Sequence, residues 1–253
     1  MIPFVSDRTA LIIGATRGLG YALAETAIEK HHIRAIGLGR TADSDILLRR
    51  GALMVKFDLT NPATWDAALK AVVASPPDFV VWNAGILDRG PFAEQADETL
   101  DTMIDTHLRG PLKFLKRLHR LQKQQAPLSE RPGKPYHLIT IASTSWYRMR
   151  DGEAVYCMLE AAKETFMRQF ARELVRDLPG SKATTVNPGG MKTDFLAAWG
   201  QDVSKMMDPF AVAEIIWREA LEQQSPFAEI NIPRDDDGTP RLEPGIKTPE
   251  SPF

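Results

Sequence analysis

Leu11-Ile12-Ile13-Gly14-Ala15-Thr16-Arg17-Gly18-Leu19-Gly20 is the stretch that decides how this chain folds. An apolar run ends in three glycines and passes into a helix-forming segment, the pattern of a strand, a tight turn and a helix start. Gly14 suits the turn, Gly18 lets backbone N–H groups approach a pyrophosphate, and Gly20 lets the helix pack closely on the strand. A phosphate placed there meets the positive end of the helix and its unpaired N–H groups. The spacing is Gly-x-x-x-Gly-x-Gly, which differs from the Gly-x-Gly-x-x-Gly dinucleotide fingerprint. Alone, the stretch also reads as a helix cap and a loop, so the rest of the chain must carry the assignment.

Outward from this stretch, β-branched or apolar runs alternate with longer amphipathic segments. That alternation predicts an α/β protein with a mostly parallel sheet covered on both faces. Seven strands are expected near 10–13, 34–38, 53–57, 79–82, 137–141, 183–186 and 229–232, and helices near 19–30, 62–74, 97–124, 154–177 and 209–223. The connection 41–52 is short enough to hold only a turn or two of helix. Asn61 before Pro62 and Asp208 before Pro209 each read as a cap followed by a first-turn proline. A single domain over 1–234 is expected, followed by an irregular tail over 235–253, with Asp235, Asp236 and Asp237 in a row and prolines at 240, 244, 249 and 252.

Composition narrows the function. The 253 residues suffice for a sizeable core, and a net charge of −2 offers no electrostatic reason to expect nucleic acid or an anionic membrane as partner. Cys157 is the only cysteine, which excludes an intrachain disulfide and a cysteine metal cluster, and no metal site is expected. No apolar run approaches the roughly 20 residues of a membrane span. The first nine residues lack the charged-then-apolar pattern of a signal peptide, so a cytoplasmic protein is the expectation.

In a sheet of this kind, ligands bind beyond the carboxyl ends of the strands. Arg40 follows the second expected strand, Asp58 the third, Asn83-Ala84-Gly85 the fourth, Ser143 the fifth, and Asn187-Pro188-Gly189-Gly190 the sixth. Each is ordinary turn or cap chemistry by itself. Together they mark one site.

These motifs, with Ser143 thirteen positions before Tyr156 and Thr193 after Asn187-Pro188-Gly189, resemble the short-chain dehydrogenase/reductase family, to about Ile232. Ile13 departs from the threonine common before the first glycine. The resemblance implies a Rossmann-like three-layer αβα sandwich, an NAD or NADP cofactor, and hydride transfer between nicotinamide and a carbonyl or alcohol. It implies a cofactor-binding set of Gly14, Thr16, Arg17, Gly18, Leu19, Gly20, Arg40, Asp58, Leu59, Asn83, Ala84, Gly85, Pro188, Gly189 and Thr193. Asp58 is expected at the adenine, Asn83 and Gly85 on the adenine ribose side, and Thr193 at the nicotinamide carboxamide or a phosphate. The helices over 97–124 and 154–177 are those through which relatives form homodimers or homotetramers.

Cofactor choice has a physical argument. A carboxylate at the end of the second strand would bond the adenosine 2′-OH and repel a 2′-phosphate. Gly39 stands there, followed by Arg40, and Arg17 lies in the glycine turn. Two guanidiniums near one corner suit a phosphate, which points to NADP over NAD.

The catalytic set departs from the family pattern. Tyr156 is expected to exchange a proton with the substrate oxygen and Ser143 to hold that oxygen. The lysine expected one helical turn after the tyrosine is Glu160, and the asparagine of the preceding helix is His107. A cation about 4 Å from a phenol favours phenolate by roughly 4 kcal/mol at an effective dielectric near 20, or about three pKa units. A carboxylate acts oppositely and keeps the phenol protonated, which favours carbonyl reduction over alcohol oxidation. Glu160 can still accept from ribose hydroxyls. Lys163, at i+7 from the tyrosine, is expected to pair with Glu160 rather than replace the missing lysine, and His107 offers a relay group. Trp146, Tyr147, Met149, Phe195 and Trp199 fall in the loops that build the family's pocket and suggest an apolar or aromatic substrate.

An NADP-dependent oxidoreductase acting as a carbonyl reductase is the leading expectation. One alternative is a degenerate member that binds the dinucleotide as a sensor or assembly partner. Another is an epimerase or dehydratase that uses Tyr156 without the lysine.

Overall fold

The computed structural model describes residues 7–41, 45–125 and 133–245. Expectations for 1–6 and for the tail beyond 245 lie outside the described residues. The first strand, β1 (Thr9–Ile13), is buried along its whole length. Its side chains alternate: Ala10 and Ile12 face one apolar cluster, Leu11 and Ile13 the other. A strand buried on both faces must lie inside a sheet with helices above and below.

The remaining elements follow the expected order. They are α1 (Gly18–His31), β2 (Arg34–Gly39), α2 (Asp45–Arg49), β3 (Leu53–Lys56), α3 (Trp65–Ala74), β4 (Phe79–Trp82), α4 (Asp97–Ile104), α5 (Gly110–Gln124), β5 (His137–Ile141), α6 (Ala154–Asp177), β6 (Lys182–Pro188), α7 (Asp194–Ala197), α8 (Pro209–Glu222) and β7 (Phe227–Ile232). Seven parallel strands run in the order β3-β2-β1-β4-β5-β6-β7. Helices α1 and α8 cover one face, with Leu23, Ile216 and Trp217 in its core. Helices α3, α5 and α6 cover the other, with Trp65, Phe114 and Met167. The result is a Rossmann-like three-layer sandwich. The chain winds outward in both directions from β1, so a crevice opens at the ends of β1 and β4.

Two expectations are corrected. The helix over 97–124 contains a π-helical turn, Asp105–Arg109, between α4 and α5. Such a turn inserts a residue and re-aims the side chains it carries, here His107. The first part of the tail, expected to be irregular, turns back on the sheet. Gly238, at φ 89°, makes the reversal, Arg234 bridges Pro240, and Glu243–Pro244 (β8) pairs antiparallel with β7 as an eighth strand. That pairing occupies backbone groups on the open edge of β7.

The local signals act as written. Asn61 Oδ1 accepts from Ala63 N–H at 3.2 Å and Asp208 Oδ1 from Phe210 N–H at 3.1 Å, each capping a proline-led helical start.

Candidate active site

The carboxyl ends of β1, β2, β4, β5 and β6 open into one cavity of about 810 Å³. Every residue expected at the cofactor lines it except Gly20, which lies underneath. A Cβ on Gly20 would run into the Gly14 carbonyl oxygen and come within 2.5 Å of Asn83 Nδ2. Asn83 is thus partly a clamp, its Nδ2 donating to the Gly14 carbonyl at 3.0 Å. Gly14 at φ +90° and Gly18 at φ +56° take the backbone conformations that side chains disfavour. Thr193 folds over the same turn, its Cγ2 3.4 Å from where a Gly18 Cβ would stand.

The turn fits a pyrophosphate on its own evidence. Arg17 occupies the cap position of α1 without a capping side-chain bond, and the first turn carries no acid. The leading N–H groups are therefore left for an anion. Asp58 is held by Thr60, whose N–H and hydroxyl donate to Oδ1 at 2.9 and 2.8 Å.

The catalytic candidates meet at the inner end of the cavity, where Ser143, Tyr156, Glu160, His107 and Lys163 all line the wall. The T-shaped contact between the His107 and Tyr156 rings has centroids 5.7 Å apart. Glu160, 1 % exposed, lies between two partners. His107 Nδ1 is 2.9 Å from Oε1, and Lys163 Nζ donates to Oε1 at 2.9 Å and Oε2 at 3.2 Å. Lys163 is itself buried, donates to the Ile141 carbonyl at 3.3 Å, and lies 5.7 Å over the Trp82 ring. The far nitrogen of His107, Nε2, meets both the amide and the carbonyl of Ile86, at 2.9 and 2.6 Å.

Charge in this cluster is ordered by burial and pairing. Burial alone would raise the Glu160 carboxyl, but the Lys163 charge and the bonds from His107 and Lys163 outweigh it and hold it below the usual range. Tyr156 moves the other way: burial first, then the Glu160 charge, push its phenol well above 10, against a smaller opposing bond to Ser143.

The substrate end differs from the sequence expectation. Of the five pocket candidates only Phe195 lines the cavity. Trp146 and Tyr147 pack on each other with centroids 5.3 Å apart, Met149 is fully exposed, and Trp199 lies outside the lining. Leu196, next to Phe195 on α7, joins the wall, and Met206 and Arg234 reach it from sequence-distant segments. Nothing in the local sequence marks Met206 or Arg234. Ile86 was missed because it acts through its backbone.

The short chain dehydrogenase family profile matches residues 8–204, and the chain belongs to that family. It is an oxidoreductase of this type, built on a fold that binds nicotinamide dinucleotides. An uncharacterized oxidoreductase of Staphylococcus aureus is 26 % identical over 219 residues, covering 84 % of this chain and 90 % of its own. One from Staphylococcus haemolyticus is 27 % identical over the same length and coverage. Among solved structures, a 3-ketoacyl-(acyl-carrier-protein) reductase from Brucella melitensis complexed with NADH superposes with a TM-score of 0.77 at 21 % identity, covering 90 % of this chain and 98 % of that one. A short-chain dehydrogenase from Streptomyces avermitilis reaches 0.76 at 23 % identity over 92 % and 89 %. The two structures share the fold.

Proposed function

We propose that this chain is an NADP-dependent reductase of small carbonyl compounds, cytoplasmic and assembled as a homodimer or homotetramer through the helical stretch 97–124 (α4 and α5) and α6. The observation that carries the direction of reaction is the Tyr156 phenol, buried beside a carboxylate and pushed well above its ordinary value. A phenol that holds its proton is an acid for reduction and a poor base for oxidation.

The residues around the cavity divide the work. Arg17 and Arg40 take the 2′-phosphate, the α1 turn takes the pyrophosphate, and Asp58, Leu59, Asn83, Ala84 and Gly85 hold the adenosine side. Pro188, Gly189 and Thr193 face the nicotinamide end. Bound NADPH supplies the hydride. Ser143 donates to the substrate oxygen and Tyr156 delivers a proton to it as negative charge develops. Among the described residues Glu160 Oε2 accepts only from Lys163, which leaves a lone pair for a ribose hydroxyl. His107 keeps Glu160 oriented and holds a proton beside it.

The test is a comparison of cofactors and directions on the same preparation. NADPH should bind more tightly than NADH by calorimetry, and ketone reduction at neutral pH should outrun oxidation of the matching alcohol. Equal affinities would overturn NADP, and faster oxidation would overturn the direction.

A further inference from the structure

The substrate end of the cavity carries more positive charge than its ion pairs use. Four arginines converge there from three separate segments: Arg89 from the loop after β4, Arg148 and Arg150 from the loop between Ser143 and Tyr156, and Arg234 after β7. Arg89 is taken up by Glu153 at 3.1 Å. Among the described residues Arg234 bonds only backbone carbonyls, of Lys205 at 3.2 Å and Asp235 at 3.5 Å. Among the described residues Arg148 and Arg150 have no carboxylate within ion-pair distance, and Arg148 lies 5.7 Å over the Tyr147 ring. Among the acids that line this part of the cavity, the one left beside the paired Glu153 is Asp194 at the head of α7. Among the residues lining this side, three guanidiniums without a carboxylate partner stand against one such carboxylate. Concave walls of low polarity concentrate such a field on whatever enters.

The wall between these arginines and Tyr156 is apolar, with Ile86, Leu87, Phe195, Leu196 and Met206. A ligand that satisfies both features has an apolar body and an anionic end. Guanidinium forks match carboxylate and phosphate oxygens in pairs. Arg17 and Arg40 at the other end serve the cofactor, so the two arginine groups have separate anions to bind.

We propose that the substrate is a carbonyl compound bearing an acidic group, carboxylate or phosphate, which Arg148 and Arg150 receive at the mouth while its carbonyl reaches Tyr156 and Ser143. This rests on the reductase reading above and names its substrate class. Arg234 adds charge at the outer rim. Each arginine bonded to the anion is worth about tenfold in binding.

The experiment compares 4-acetylbenzoate, 4-acetylphenyl phosphate and the neutral 4-acetylbenzamide as substrates with NADPH, at low and high salt. It uses wild type, Arg148→Gln, Arg150→Gln, their double variant, and Arg172→Gln as an exposed arginine outside the cavity. One or both anions should exceed the amide by tenfold or more in kcat/KM, and high salt should shrink the ratio. The double variant should bring it near unity, and Arg172→Gln should leave it unchanged. The compound preferred tells carboxylate from phosphate. A ratio near unity in wild type, or one that survives the double substitution, overturns the proposal. If no ketone is reduced, calorimetric binding of the same compounds to the NADP-saturated protein decides. Anion binding lost in the double variant sustains the subsite while the reductase reading fails; no anion binding overturns the subsite as well.

Discussion

His107 Nδ1 lies 2.9 Å from Glu160 Oε1, and both side chains are buried, each 1 % exposed. A carboxylate only accepts, so Nδ1 carries the hydrogen. In the neutral ring Nε2 then accepts from the Ile86 amide; with a second proton it donates to the Ile86 carbonyl instead. Both protonation states of the imidazole find a backbone partner in place. The π-helical turn is what brings His107 there, and Gly85 makes room: a Cβ at that position would stand 2.9 Å from His107 Cε1.

Glu160→Gln should test the charge balance of this cluster. The substitution leaves the Lys163 ammonium, 2 % exposed, without its counter-charge. Breaking a buried pair in this way costs about 3–5 kcal/mol. Urea unfolding should show a loss of that order, and a loss under about 1 kcal/mol would mean that the pair is solvated or absent.

Placing a lysine at position 160 requires two changes. Glu160→Lys alone sets a second ammonium beside Lys163 and should destabilise the fold. The charge swap E160K/K163E keeps the pair and reverses the sign next to Tyr156. In the swapped protein the pH–rate profile for alcohol oxidation should move to lower pH, with reduction less affected. An unmoved profile in a folded, cofactor-binding double variant would separate Glu160 from the phenol.

Tyr156→Phe removes a hydroxyl and keeps the ring that packs on His107 and Phe195. Ketone reduction should fall on the order of 10²–10⁴-fold while NADPH affinity is retained. Activity near that of wild type would assign the proton to another acid.

Arg40→Ala should weaken NADPH more than NADH, because only the former brings a 2′-phosphate. A charge-assisted bond of this kind is worth roughly 1.5–3 kcal/mol. Calorimetry with both cofactors reads the difference, and an equal loss for both would place Arg40 on a shared part of the dinucleotide.

Glu164 predicts a pH dependence of stability. Burial first, then the charge of Glu229, push its carboxyl up to about 8, against opposing effects of Asn187 and Arg168; Glu160 adds a smaller push upward. A carboxyl raised on folding contributes stability that is full below its unfolded value near 4.3 and is lost as pH rises through about 8. Wild type should therefore lose stability relative to Glu164→Gln between about pH 5 and 8 and then level off. Thermal melts across that range check it, and a constant difference in Tm would show Glu164 already ionised in the folded protein.

The order of strands and helices was legible because it depends on local pattern. The glycine turn, the cap-then-proline starts at Asn61 and Asp208, and the fully apolar strands state their conformations within a few residues. The positions after each strand were legible for the same reason, since a parallel sheet gathers its carboxyl ends on one edge. Tertiary structure alone decided where side chains from distant segments meet. Arg89, Arg148, Arg150 and Arg234 share a cavity because three segments converge, and no spacing in the chain encodes that. The π-helical turn that aims His107 at Glu160 has no local signature, being set by packing against α6 and the Gly85–Ile86 backbone. The return of the tail as β8 depends on the open edge of β7. Short-range conformational preference thus determined the elements, and long-range packing in a buried, low-dielectric interior decided the charges at the site.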